Sequence, residues 1–167
     1  MATINESLGT DVVLAVTALQ SLASSATVGW KSVLTDNTST LALDYEVYVS
    51  LTTANTAPAN DKAMYVYICP AHKDNGGTFR YTDGGTTTLP TSGDASYTIA
   101  NTNDLDQLMA LNYTTQQMVV QKTRNLSAIY GLGCMPDGFL VVIVNFSGAA
   151  LSTGCVVEVR PCAATVV

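Results

Sequence analysis

Phe139-Leu140-Val141-Val142-Ile143-Val144 is the stretch that decides the fold class. It is an unbroken apolar run rich in β-branched residues, far short of the roughly 20 residues a bilayer-spanning helix needs. Turn chemistry bounds it on both sides. Before it stands Met135-Pro136-Asp137-Gly138, in which Pro fixes φ and Gly permits positive φ. After it comes Asn145-Phe146-Ser147-Gly148. A short, β-branched run between turns reads as a strand covered on both faces. Working outward, Ala149, Ala150 and Leu151 lead to a second strand over Gly154 to Arg160, where Val157 and Val159 alternate with Glu158 and Arg160. Pro161 cannot donate to a ladder and is expected to stop it. Two consecutive strands with a short connection predict a central hairpin.

The clearest alternation lies upstream. Leu41, Leu43, Tyr45, Val47, Val49 and Leu51 interleave with Ala42, Asp44, Glu46, Tyr48, Ser50 and Thr52. A period of two predicts a strand with the first set in the core. A polar loop with Pro58 leads to Ala63 to Cys69, where Met64, Val66 and Ile68 alternate with Tyr65, Tyr67 and Cys69. Sequential strands joined by such a loop are expected to pair antiparallel. Further strands are expected at Thr27 to Leu34 around Trp30, Thr78 to Thr82, Ala95 to Ala100, Tyr113 to Gln121 and Asn125 to Tyr130. Asp11 to Ala23 has helical spacing at Val12, Val16, Leu19 and Leu22, but its β-branched content favours a strand. Asn103-Asp104-Leu105-Asp106 predicts a capped helical turn through Leu111, and Asp83 to Asp94, with Gly84-Gly85, a long exposed loop. About eight short strands separated by turns are the pattern of an all-β fold. The expectation is an antiparallel β-sandwich, jelly-roll-like, with at most one short helix. Residues 11–167 form its single domain. Residues 1–10 read as a flexible polar arm with two apolar anchors, Ile4 and Leu8, as its candidate partner contacts.

Composition narrows the function classes. Charged residues make up 12% of the chain, against about 25% in an average globular protein. Hydrophobic residues make up 47%, and Thr, Ser, Asn and Gly fill much of the rest. An uncharged polar surface is readily buried against another protein, because few charges need desolvating. The net charge is −6 and the Lys and Arg residues are scattered, which disfavours nucleic acid. No apolar run is long enough to cross a membrane as a helix. The first residues are polar and lack a basic signal-peptide start, so the chain is expected to begin its life in a cytosol. Cys69, Cys134, Cys155 and Cys162 follow no C-x-x-C spacing, and one histidine is too few for an ordinary zinc site. The cysteines read as free thiols.

Candidate chemistry is sparse. His72 would have to serve any Ser-His-Asp or Cys-His arrangement, yet no G-x-S-x-G elbow accompanies it, and a lone loop histidine is ordinarily just solvated. Asp104 and Asp106 could form a carboxylate pair for a cation or a glycosidase, but helix capping explains them more simply. The calcium-loop pattern D-x-[DN]-x-[DN]-G is missing. Gly76-Gly77 and Gly84-Gly85 read as turn glycines rather than a phosphate loop. Exposed members of Tyr45, Tyr48, Tyr65, Tyr67, Tyr81, Tyr97, Tyr113 and Tyr130, with Trp30, could stack on sugars or anchor an interface; cross-strand packing is the simpler reading. The expectation is therefore no catalytic residue, no cofactor and no metal.

One resemblance runs through most of the chain. It rests on Leu19-Gln20-Ser21-Leu22-Ala23-Ser24, Asp36-Asn37-Thr38, Asp44-Tyr45, Met64-Tyr65-Val66-Tyr67, Asp83-Gly84-Gly85-Thr86, Pro136-x-Gly138, Asn145-Phe146-Ser147-Gly148-Ala149-Ala150-Leu151 and Val157-Glu158-Val159-Arg160-Pro161. In these motifs the chain resembles small virion proteins of tailed bacteriophages, of the capsid cement or decoration type. Met135-Pro136-Asp137 stands where a Leu-Pro-Pro form is commoner, and the cysteines are peculiar to this chain. The resemblance implies a jelly-roll sandwich that sits on the phage head and bridges subunits of the major capsid protein. It further implies a non-enzymatic homotrimer, located on the capsid surface of the virion and assembled in the host cytoplasm. The alternative is a head-fibre or receptor-binding module that recognises carbohydrate.

Overall fold

A computed structural model describes residues 4–59, 62–82, 93–99 and 104–166. Its strands are β1 (Ile4–Leu8), β2 (Val12–Val13), β3 (Val28–Lys31), β4 (Thr35–Asp36), β5 (Asp44–Thr52), β6 (Ala63–Lys73), β7 (Phe79–Tyr81), β8 (Ala95–Thr98), β9 (Asp106–Asn112), β10 (Val119–Asn125), β11 (Gly138–Asn145) and β12 (Val156–Val166), with one short helix, α1 (Ser127–Tyr130). All pairings are antiparallel.

The strands make two sheets. In the first, β12 lies between β5 and the collinear pair β1 and β2, and β10 flanks β5. In the second, β11 lies between β6 and the pair β3 and β4. On its far side β6 carries β9 along its first half and β7 along its second, and β8 adds outside β3. Eight of these strands in chain order are β2, β3, β5, β6, β9, β10, β11 and β12. They distribute as β2-β12-β5-β10 and β3-β11-β6-β9, the interleaving of a double-sheet jelly roll. The all-β, jelly-roll-like expectation is met.

Side-chain alternation explains the two layers. Tyr45, Val47, Val49 and Leu51 of β5 and Val157 and Val159 of β12 turn inward from the first sheet. Met64, Val66 and Ile68 of β6 and Phe139, Val141 and Ile143 of β11 meet them from the second. The other face of β11 is covered as well. Leu140, Val142 and Val144 join Cys69, Tyr97 and Leu105 in a separate buried cluster. Every residue of β11 is buried, so the apolar run is the doubly covered strand its sequence implied.

Strand partners depart from expectation. The predicted hairpin between β11 and β12 does not form, because the two strands lie in opposite sheets. Asn145, wholly buried, redirects the chain: its Nδ2 donates to Leu22 O (3.1 Å) and Ala149 O (2.8 Å), and its Oδ1 accepts from the Ser147 backbone N–H and hydroxyl. Gly148 follows at φ 77°, pressed against Ala59, where a side chain would be strained. Likewise β5 and β6 do not pair; they face each other across the core.

Other local readings are corrected too. Leu41 and Leu43 are not in the core: Leu41 is 74% exposed at φ 48° and Leu43 37% exposed, because β5 begins only at Asp44. Of the segment Asp11 to Ala23 only Val12–Val13 is strand, while Leu14, Leu19 and Leu22 are buried from the turns that follow. The helical turn expected to run to Leu111 is strand β9, recruited by the edge of β6. The strand expected at Asn125 to Tyr130 is instead the end of β10 and helix α1. Part of the segment read as an arm, Ile4–Leu8, is strand β1, laid on β12 of the same chain. Asn103 and most of the loop from Asp83 to Asp94 lie outside the described residues.

Candidate functional site

The site grows from the way β5 starts. Asp44, its first residue, is 3% exposed. Its Oδ1 accepts from the backbone N–H of Tyr45 (2.8 Å) and Ser127 (2.9 Å), and its Oδ2 from Asn125 Nδ2 (3.0 Å) and the Ser127 hydroxyl (2.6 Å). One carboxylate thus ties β5 to the end of β10 and starts α1, accepting the orphan N–H of the first helix residue, Ser127, from outside the helix. Just before Asp44, Leu43 donates its N–H to Cys162 O (2.9 Å) and accepts at its own C=O from Gly133 (2.9 Å). These bonds hold Leu43 between β12 and the loop after α1, at the sandwich end.

That end is creased by three depressions in a row. The first, about 360 Å³, is lined by Ser7, Leu8, Leu43, Asp44, Asn125, Leu132, Cys162 and Ala163. The second, about 210 Å³, shares Leu43 and runs past Leu41 to Met135, Pro136 and Asp137. The third, about 230 Å³, shares those last three residues and reaches Pro70, His72 and Thr82. The shared walls make them one trough. Its exposed apolar residues are Leu8 (63%), Leu41 (74%), Leu43 and Leu132 (64%). Four exposed leucines around one crease are unlike the singly scattered apolar residues of an ordinary surface.

The far end of the trough is polar. His72 Nδ1 lies 2.7 Å from Asp137 Oδ2, with the imidazole largely exposed. The same Oδ2 accepts the Lys73 backbone N–H (2.9 Å). Lys73 Nζ reaches the Thr38 hydroxyl (3.1 Å) and Asp36 (3.5 Å), and sits 5.0 Å from the centre of the Phe79 ring. The Thr38 hydroxyl, and secondarily Lys73, hold the Asp36 carboxyl below its ordinary range. Beside them, the Thr78 backbone N–H does the same for Asp74, which also accepts from Arg80 (3.0 Å).

Asp104 and Asp106, weighed in the sequence as a carboxylate pair or as helix caps, bond to different partners. Asp106, on β9, accepts the Tyr130 hydroxyl at 2.7 Å; burial and then that bond push the Tyr130 hydroxyl upward. Asp104 accepts from Thr82 Oγ1 through its backbone C=O (3.2 Å). The aromatic residues mainly pack. Trp30 is wholly buried with its Nε1 on Asp94 (2.8 Å), Tyr113 donates to Leu51 O (3.1 Å), and Tyr45 meets Phe139 edge-on at 5.1 Å. Tyr65 and Tyr67 are half-buried beside Phe146 on the outer face of the second sheet. No disulfide joins the four cysteines; Cys69 and Cys155 are buried and Cys134 is exposed, and burial pushes the Cys155 and Cys162 thiols up. Among the described residues no group of three or more His, Cys, Asp or Glu side chains is placed to hold a metal ion, and no helix is long and apolar enough to cross a membrane.

Of the two anchors read in the sequence, Leu8 lines the trough, and Ile4 lies on β1 opposite Val166. Leu41, Leu43 and Leu132 were missed. The first two were absorbed into the alternating pattern of β5, and Leu132, between Gly131 and Gly133, carries no periodic signal.

No family model matches the chain, and no curated protein matches it. Among solved structures it is similar to the CBM22-1 xylan-binding domain of Paenibacillus barcinonensis Xyn10C, at 11% identity and a TM-score of 0.32, over 96% of this chain and 85% of that one.

Proposed function

We propose that the chain is a non-enzymatic structural protein of a virion, a capsid cement or decoration protein that binds capsid subunits through the apolar end of its sandwich. The observation that carries this reading is the grouping of Leu8, Leu41, Leu43 and Leu132 around one trough. A crease of exposed leucines with a polar end suits a protein partner. The low charge of the chain keeps the desolvation cost of such a contact small. The resemblance of its sequence motifs to phage decoration proteins supplies the identity of the partner. Cementing needs no reaction, only buried area and many copies. The jelly roll itself is neutral on the point, since it hosts capsid and lectin roles alike.

The test is quantitative protein staining of particles purified from the source of this sequence. A cement protein approaches the copy number of the major capsid protein. Its absence from particles would refute the proposal, and a few copies per particle would favour the fibre or receptor-binding alternative. Leu41→Asp, at an exposed position, should leave the fold intact and weaken retention on heads challenged by heat.

A further inference from the structure

Strand β12 is longer than the sheet it belongs to. Its pairing with β5 ends at Cys162 opposite Asp44, and the last bond on that side runs from Leu43 N to Cys162 O. Beyond this point the chain preceding β5 turns away through Leu41, whose N–H bonds back to Asn37 O. Residues 163–166 continue all the same, paired only with Ile4–Ser7 of β1. The result is a two-stranded ribbon projecting past the sheet, an arrangement marginal by itself.

The direction of its free hydrogen-bonding groups follows from alternation. Pro161 O faces β1 and accepts from Gly9, while Cys162 O faces the β5 side. Ala164 and Val166, in step with Cys162, therefore present N–H and C=O to the side where β5 has ended. Among the described residues no strand takes them. The first depression of the trough opens in this corner, walled by Leu8, Leu43, Leu132 and Ala163.

Exposed edges are ordinarily protected by a charge, a proline or a bulge. From Cys162 to Val167 the sequence contains no charged residue and no proline. The outer strand of the same ribbon does carry a charge, Glu6. A chain with net charge −6 disfavours contact between copies wherever its charges meet; this edge is a place where none would. An antiparallel edge is also complementary to itself, so one patch on each copy suffices for a twofold interface.

We infer that residues 163–166 pair antiparallel with the same segment of a second copy, joining two ribbons about a twofold axis and covering Leu8 and Leu132 in each. The dimer takes Leu8 and Leu132 from the trough, while the depressions beyond Leu43, with Leu41 on their wall, stay open for the capsid contact. It yields a dimer rather than the trimer that the resemblance implies.

The experiment is sedimentation velocity of the full chain over a concentration series. The decisive variant is Ala164→Pro, which removes an N–H on the open side only and spares the bonds of Ala163 and Thr165 to β1. The wild type should shift from monomer to dimer with concentration, and Ala164→Pro, folded by circular dichroism, should raise the dissociation constant by at least about tenfold. A wild type that stays monomeric or forms trimers would overturn the inference. So would a folded Ala164→Pro that dimerises like wild type. Should that variant not fold, Leu132→Asp, at an exposed wall of the same corner, decides by the same two outcomes.

Discussion

Asp44→Ala should be among the most damaging single changes that leave the apolar core untouched. Four donors lose their acceptor: the Tyr45 and Ser127 N–H groups, Asn125 Nδ2 and the Ser127 hydroxyl. Hydrogen bonds to a charged acceptor contribute about 1.5 to 3 kcal/mol each in isolation. They do not simply add, because removing the carboxylate also removes the cost of burying it. Asn125 is exposed and can turn to water, which leaves the Tyr45 N–H at the start of β5 and the two Ser127 donors at the start of α1 to account for the loss. A net destabilisation of about 3 kcal/mol is expected. Trp30, the only tryptophan and fully buried, reports unfolding by fluorescence. With a urea slope of about 2 kcal/mol/M, the midpoint should fall by about 1.5 M. Ser127→Ala, which removes one of the four bonds, should cost about 1 kcal/mol. An Asp44→Ala midpoint within about 0.3 M of wild type would refute the claim that this carboxylate ties β5, β10 and α1 together.

Val49→Asp places a charge without a partner at a fully buried position of β5 and should cost several kcal/mol or abolish folding, as read from soluble yield and urea midpoint. Asp94→Ala strands the Trp30 Nε1–H and the Ala18 N–H; a loss of about 2 kcal/mol and a shifted Trp30 emission are expected, and an unchanged spectrum would count against that bond. Asp36 and Asp74 are held below their ordinary value of 3.8 in the folded chain. Their contribution is present above that value and is lost as pH falls through the lowered folded values, so the urea midpoint should decline below about pH 4. Asp74→Asn should remove part of that decline.

Which segments become strands was legible wherever the signal is local. β11 is a run of apolar residues buried on both faces, and β5 alternates from Asp44 to Leu51. Both follow from side-chain periodicity, which needs only neighbours a few residues away. Strand partners were not legible. Val141 pairs with Ile68, and Val157 with Val49, contacts between residues far apart in the chain. In a jelly roll the short connection from β11 to β12 crosses between sheets instead of closing a hairpin, and the buried Asn145 network enforces that crossing. Local propensity lost to this tertiary pairing at β9, where Asp106 and the residues expected to continue as a helical turn were drawn into a strand by the edge of β6. The trough depends still more on the fold. Leu8, Leu41, Leu43 and Leu132 come from separate places in the chain. They meet because β5 starts at Asp44, while β12 runs four residues further with β1 beside it. An alternating pattern says that a leucine can face a core; only the length of the neighbouring strand decides whether a core is there to receive it.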